Sequence, residues 1–287
     1  MIPPRELDDA ALVRAIAELY VPGAPEPELG PLCAALAGRE VALPVPGGAV
    51  RVDLGDWTSI VMLRLGAWEP HLLGLARTLV RPGAVAIDVG AHAGAWTLLL
   101  GSLVGPTGRV IAYEPYPPSA ARARAAIEAA DLRDRVQLLA SAAGERAGAG
   151  TLHGAGDAML CTLVPDATAS AICTVTITTL DELPLDRADV VKIDTEGYEL
   201  AVLRGARALL ARSDPSLIVE LHAAQLAAQG LSIADVVEEL RAQGFTAFDL
   251  RPEGHSLHVV PLRGDRPPTT HHILARRDPA PFVAPLR

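Results

Sequence analysis

Lysine is all but missing from this chain. Lys192 is the one lysine among 25 basic residues, against 34 acidic ones, and the formal net charge is −9. A protein that binds nucleic acid needs a basic footprint for the phosphates, so nucleic acid is not the expected partner. Nor does this balance attract anionic lipid. The three cysteines, Cys33, Cys161 and Cys173, are too few and too irregularly spaced for a disulfide framework or a zinc site, which makes a reducing cytoplasm the expected compartment. Long apolar runs are missing too. The longest, Trp96–Val104, is too short to cross a bilayer and is stopped by Gly105-Pro106. Met1–Glu6 has no basic stretch leading into an apolar one, so no signal peptide is expected. Aromatic residues make up only 3% of the chain. Arginine, alanine, glycine and proline are abundant instead, the bias of a GC-rich bacterial genome.

What is present is ample for a buried core: half of the 287 residues are apolar. Residues 8–20 read as a helix, capped by Asp8 or Asp9, with Leu12, Ile16, Leu19 and Tyr20 on one face. Pro22, Pro25, Pro27 and Pro31 mark a linker. Residues 39–54 read as a hairpin turning at Pro46-Gly47-Gly48. Leu72, Leu75, Ala76 and Leu79 form a helical stripe, with Pro70 in its first turn and Pro82-Gly83 at its end. From Ala84 the pattern alternates. Ala84–Val89, Arg109–Tyr113, Val136–Ala140, Asp189–Ile193 and Leu217–Leu221 suit strands covered on both faces. Helices are expected at Ala93–Val104, Ser119–Ala130 and Tyr198–Ala211, and another between the Ser232/Asp235 cap and Gly244. Such alternation implies a parallel sheet wound with helices. Phe245–Leu250 and His271–Ala275 would be two last strands joined by a loop. Residues 141–178, rich in Ala, Gly, Ser and Thr, offer one strand at Ile172–Thr178 and read as a surface insertion, with a mobile flap over a site as the alternative.

The strongest local signal is Ala86–Gly94, a buried strand running into a turn with glycines at positions 90 and 94, then a helix. Free N–H groups at that helix start suit a carboxylate or phosphate. The spacing is G-x-x-x-G, which lacks the middle glycine that admits a dinucleotide's pyrophosphate. Glu114, ending the second strand, can accept hydrogen bonds from both hydroxyls of a ribose. A ligand with a ribose, no pyrophosphate and a carboxylate tail fits all three features, and S-adenosyl-L-methionine is such a ligand. The structural alternative is a core turn with a solvated glutamate.

A second constellation ends the fourth strand, at Val190–Glu199. Strand alternation puts Lys192 and Asp194 on one face. Asp194 and Glu196 fall beside the glycine loop, where close charges shift one another's pKa values. His222, ending the fifth strand, lies at the same edge and suits a general base. The alternative is a helix-capping acid, an exposed glutamate and an internal ion pair. The other histidines, His271-His272 included, carry no such argument.

These segments together resemble the FkbM family of S-adenosylmethionine-dependent methyltransferases. The resemblance rests on Gly66–Pro70, Ile87–Thr97, Val110–Pro115, Thr179–Leu183, Lys192–Leu203 with Gly205, and Ile218–His222, in family order. It implies an α/β, Rossmann-like seven-stranded class I methyltransferase sheet with an antiparallel last strand over residues 64–287. Residues 1–63 would be an N-terminal helical and hairpin extension that covers the acceptor or pairs subunits into a homo-oligomer. Cofactor contacts are implied at Asp88, Gly90, Ala91, His92, Gly94, Glu114 and Pro115. Ser141 and Ala142 would lie near the adenine, and Glu69 and Thr97 near the methionine end. His92 stands where the family usually has Asn.

The expected reaction is methyl transfer to the hydroxyl of a small molecule, a sugar or a secondary metabolite. His222 is the first choice of base, with Asp194 or Glu196 competing. Lys192 would hold those carboxylates or stabilise oxyanion charge. Asp194 would otherwise hold the cofactor's ammonium. No metal is expected, since two carboxylates make an incomplete site. The alternatives are an NAD(P)-dependent oxidoreductase and a non-catalytic binding module.

Overall fold

The computed structural model describes residues 11–12, 16, 30–154, 161–165, 170–262 and 267–286. Residues 11, 12 and 16 are helical, and Leu12 and Ile16 are buried in the core. The rest of the expected 8–20 helix, with Pro22, Pro25 and Pro27, lies outside the described residues. Pro31 does not mark a linker: it sits in the first turn of α1 (Gly30–Leu36), where a missing N–H costs nothing.

β1 (Glu40–Val45) and β2 (Gly48–Asp53) form the expected antiparallel hairpin. Its alternating residues Val41, Leu43, Val50 and Val52 are buried in one core with Leu98 and Leu100 of the following domain. Gly47 turns at φ 92, and a Cβ there would lie 2.3 Å from the Leu98 carbonyl oxygen. The extension is therefore packed into the same body. α2 (Trp57–Leu65) has apolar residues all around it, so it offers no stripe in the sequence. A 3-10 turn, Pro70–Leu72, then leads into α3 (Leu73–Leu79).

The alternating region follows as β3 (Val85–Val89), α4 (Ala95–Val104), β4 (Arg109–Tyr113), α5 (Pro117–Ala129) and β5 (Val136–Leu139). β6 (Ala142–Ala143), β7 (Gly148–Gly154) and β8 (Ser170–Thr178) make a separate small sheet in the order β6-β8-β7. The chain returns through β9 (Val190–Ile193), α6 (Glu199–Arg204), α7 (Arg207–Arg212), β10 (Ser216–Glu220), α8 (Ala223–Ala228) and α9 (Ile233–Ala242). It ends in β11 (Thr246–Glu253), β12 (Ser256–Pro261), β13 (His272–Arg276) and β14 (Phe282–Pro285).

Two expectations change. The single helix over 198–211 is two helices, because the chain breaks at Gly205, where a Cβ would lie 1.9 Å from the Gly144 carbonyl oxygen. The loop between the last two expected strands contains β12, which pairs with β11 and with β14.

The main sheet runs β14-β12-β11-β13-β10-β9-β3-β4-β5. Its seven strands from β11 to β5 are the expected Rossmann-like arrangement. β3, β4, β5, β9 and β10 are parallel, and β13 is antiparallel to β10 and β11. β12 and β14 extend it. The chain moves from β3 towards β5 in its first half and from β9 towards β13 in its second. The carboxyl ends of β3 and β9 therefore flank the switch point, where such sheets bind ligands. Alternation assigns the two faces to two cores. Ala86, Val110, Val190, Ile218 and Leu274 face one, while Ile87, Ile111, Val191, Val219 and Ile273 face the other. Among the described residues, no helix is long and apolar enough to cross a membrane.

Candidate active site

The glycine loop closes the end of β3 against two neighbours. Gly90 and Ala91 both donate their N–H to the Tyr113 carbonyl, at 3.0 and 2.9 Å. Gly90 has φ +90, and a Cβ on it would come 1.7 Å from the Asp194 carbonyl oxygen. Only glycine fits there on both counts. Gly94, at φ +97, caps α4 and packs on Ala123.

Glu114 lies beside this loop. Its carboxylate accepts from the His92 N–H at 2.7 Å and from the Tyr116 N–H at 2.8 Å. Burial nevertheless pushes it up to about 7. Burial also pushes the His92 imidazole down to about 4, so it is neutral, and its Nε2 has no hydrogen-bond partner.

Two cavities open on either side of the Gly90–Asp194 contact. The first is walled by Val89, Gly90, His92, Tyr113, Glu114, Pro115, Ala142, Leu163, Asp194, Glu196 and Tyr198, among others. The second is walled by Met62, Trp68, the loop from Gly90 to Ala93, Ala95, Trp96, Lys192 and Asp194. The segment over 141–178 is therefore not a plain surface insertion. Ala142, Ala143, Cys161 and Leu163 line the first cavity, and Thr162 Oγ1 donates to the Glu196 carbonyl at 2.6 Å.

Some expected contacts lie beneath the cavities and not in their walls. Asp88 is fully buried and accepts from Thr97 Oγ1 at 2.6 Å, and Thr97 is fully buried too. Glu69 is buried between Trp96 Nε1, which donates to it, and the His272 imidazole. Ser141 and Gly94 line neither cavity.

The second constellation converges as the sequence suggested. Lys192, 1% exposed, donates from Nζ to Asp194 Oδ2 at 2.8 Å. Burial opposes its charge, but Asp194, Glu69 and Asp88 outweigh that and hold the ammonium well above the usual lysine range. Burial likewise opposes ionisation of Asp194, and Lys192 holds its carboxyl low. His222 Nδ1 lies 2.8 Å from Glu199 Oε1. Its Nε2 faces Glu196 at 3.4 Å, Glu220 at 3.8 Å and Asp194 at 3.9 Å.

Burial disfavours the imidazolium, yet Glu196, Glu199 and Asp194 push His222 up to about 11. The carboxylates thus favour the imidazolium in this state, which weighs against His222, and towards Glu196 or Asp194, as the free base. Burial raises Glu196, and it raises Glu220 as well, to about 7. Asp194, Glu220 and His222 bring three ligand atoms within 4.8 Å of one another. A cation among them would have to displace the proton that the carboxylates hold on His222.

Glu199, Glu220 and His272 were not singled out by the sequence pattern. Glu220 and His272 are cross-strand partners on β10 and β13, a pairing that only the register reveals. Four described non-glycine residues have positive φ, and Glu69, His92 and Glu196 among them belong to this site. Such outliers gather where function over-determines the backbone.

The "Methyltransferase FkbM domain" family matches residues 88–247. No curated protein matches the sequence. Solved structures similar to this chain include an FkbM methyltransferase from Methylobacillus flagellatus, at 18% identity and TM-score 0.40, covering 77% of this chain and 53% of that one. A SAM-dependent O-methyltransferase from Thermotoga maritima has 15% identity and TM-score 0.42, covering 74% and 63%. An O-methyltransferase from Bacillus cereus in complex with SAH has 15% identity and TM-score 0.40, covering 93% and 96%.

Proposed function

The chain belongs to the FkbM methyltransferase family, which matches 160 of its 287 residues (247 − 88 + 1), and we propose that it is an S-adenosyl-L-methionine-dependent O-methyltransferase acting on a hydroxyl of a small molecule. The observation that carries this reading is the pair of cavities meeting at Gly90 and Asp194, one with Glu114 in its wall and the other with Trp96 and Lys192. A nucleoside suits the first. Each Glu114 oxygen accepts one backbone N–H and keeps a lone pair for a ribose hydroxyl. Ala142, Leu163 and Tyr198 supply apolar surface for a base. A methionine tail suits the second, where Asp194 offers its carboxylate to an ammonium group. Bound across both, the cofactor supplies a methyl group already activated on a sulfonium.

The remaining work is alignment and proton removal. Holding two reacting groups in line supplies a large share of a rate enhancement. The Glu196–His222 pair is placed to take the hydroxyl proton. Glu196, in the wall of the first cavity and raised by burial, accepts it, and His222, 3.4 Å away and outside both cavity walls, orients that carboxylate. Lys192 keeps Asp194 ionised for binding. Sugar and secondary-metabolite hydroxyls are the acceptors this reading favours.

A nicotinamide dinucleotide fits less well, because His92 stands at the position where a pyrophosphate needs glycine. A methyl-transfer assay over glycosylated and polyketide acceptors, with E196A and H222A alongside, tests the proposal. Product formation that drops at least about 100-fold in both variants supports it. Full activity in both rejects the pair.

A further inference from the structure

We propose that His272 is a positioning residue that presets the methionine-side wall of the cofactor pocket through Glu69 and Trp96. The inference rests on the cofactor reading above. It starts from strand geometry. Asp88, Lys192 and Glu220 each stand two residues after a residue of one core-facing row, namely Ala86, Val190 and Ile218, and His272 stands two residues before Leu274 of the same row. Alternation therefore puts all four on one face of the sheet. β13 is antiparallel, so its first residue reaches the edge where β9 and β10 end, and His272 pairs there with Glu220.

His272 is 4% exposed, and its Nε2 faces two carboxylates, Glu69 directly and Glu220 Oε2 at 3.3 Å. Its ring stands edge-on to His71, with centroids 5.5 Å apart. Glu69 takes the other end of the contact chain. Its second oxygen accepts from Trp96 Nε1, the Trp96 ring carries Lys192 Nζ 5.4 Å from its centroid, and Lys192 donates to Asp194. Trp96, Lys192 and Asp194 are walls of the second cavity. Glu69 itself holds φ 47, a left-handed conformation that a glutamate keeps only when its surroundings impose it. His272 and Trp96 are the side chains set against its two carboxylate oxygens. Without the His272 contact, Glu69 keeps Lys192 as its one nearby cation, and a buried carboxylate so weakly balanced would turn away or take up a proton, releasing Trp96.

The test separates positioning from mere packing by comparing two variants of the full chain. H272Q keeps a donor for Glu69, and H272L keeps bulk without one. Calorimetric titration with S-adenosylhomocysteine should give H272Q an affinity within about threefold of wild type and H272L a loss of at least about tenfold, at similar melting temperatures. H272L binding within twofold of wild type would overturn the proposal. Should H272L fail to fold, E69Q carries the test, because it removes the charge that His272 faces at unchanged volume. A fivefold or greater loss in E69Q supports the proposal, and unchanged binding overturns it. Wild-type protein that takes up no S-adenosylhomocysteine would remove the cofactor reading and this inference with it. Normal wild-type binding with indifferent variants would remove this inference alone.

Discussion

Lys192 Nζ and Asp194 Oδ2 are 2.8 Å apart at the carboxyl end of β9, and the chain's one lysine is thereby spent on a buried ion pair at the switch point of the sheet. Around it stand Asp88, Glu69 and Glu220, all carboxyl groups that Lys192 helps to balance. Removing one partner of such a pair leaves an uncompensated buried charge. K192M should therefore lower unfolding free energy by at least about 3 kcal/mol, and K192M/D194N should recover part of that. Urea denaturation of the three proteins measures it. A double variant no more stable than K192M would deny the coupling.

Glu114 gives a pH dependence with a definite sign. Burial raises it to about 7, so near pH 6 it is mostly protonated and can no longer accept from two hydroxyls at once. Hydroxyl donors favour the carboxylate, so binding releases a proton and affinity climbs with pH until Glu114 is ionised. Affinity for S-adenosylhomocysteine should be about tenfold lower at pH 6 than at pH 8. In E114Q it should be weaker throughout and nearly flat. Calorimetry at pH 6, 7 and 8 checks both.

Thr97 and Asp88 are bonded beneath the glycine loop, and neither reaches a cavity wall. T97V keeps the shape and strips the carboxylate of its one side-chain donor, which should cost about 1–3 kcal/mol of stability. Affinity for the cofactor product should stay within threefold. A large affinity loss at unchanged stability would place Thr97 in direct contact with the ligand.

Gly90 is constrained from two sides, by φ +90 and by the Asp194 carbonyl that a Cβ would meet at 1.7 Å. G90A should destabilise the fold by about 3 kcal/mol or more. It should also separate β3's loop from β9's, abolishing binding in the fraction that stays folded. Thermal melts with and without ligand report the two effects. A variant with native melting and native ligand stabilisation would refute the packing argument.

The alternation of strands and helices was legible because buried parallel strands are written as short apolar runs, and the hairpin because Pro46-Gly47-Gly48 announces its turn. Glu114, Asp194 and His222 were legible because each ends a strand. The small sheet over 142–178 was legible only in β8, the expected strand at Ile172–Thr178: β7 is mostly glycine, alanine and threonine, and its pairing with β8 depends on partners 16 to 29 residues away. β12 was hidden for a similar reason, since it sits in what composition marks as a loop. His272 was beyond reach, because a histidine opening an antiparallel strand gains meaning only from the glutamate across the register. The protonation of His222 was also beyond reach. A strand-end histidine reads as a base until Glu196, Glu199, Glu220 and Asp194 are all seen around it.

The measurement that bears most directly on this account is a crystal structure with S-adenosylhomocysteine bound. The ribose should lie against Glu114 and the base against Ala142 and Leu163, with the amino-acid end entering the cavity between Gly90 and Trp96. A nucleoside found away from Glu114, or a ligand lodged outside both cavities, would contradict it.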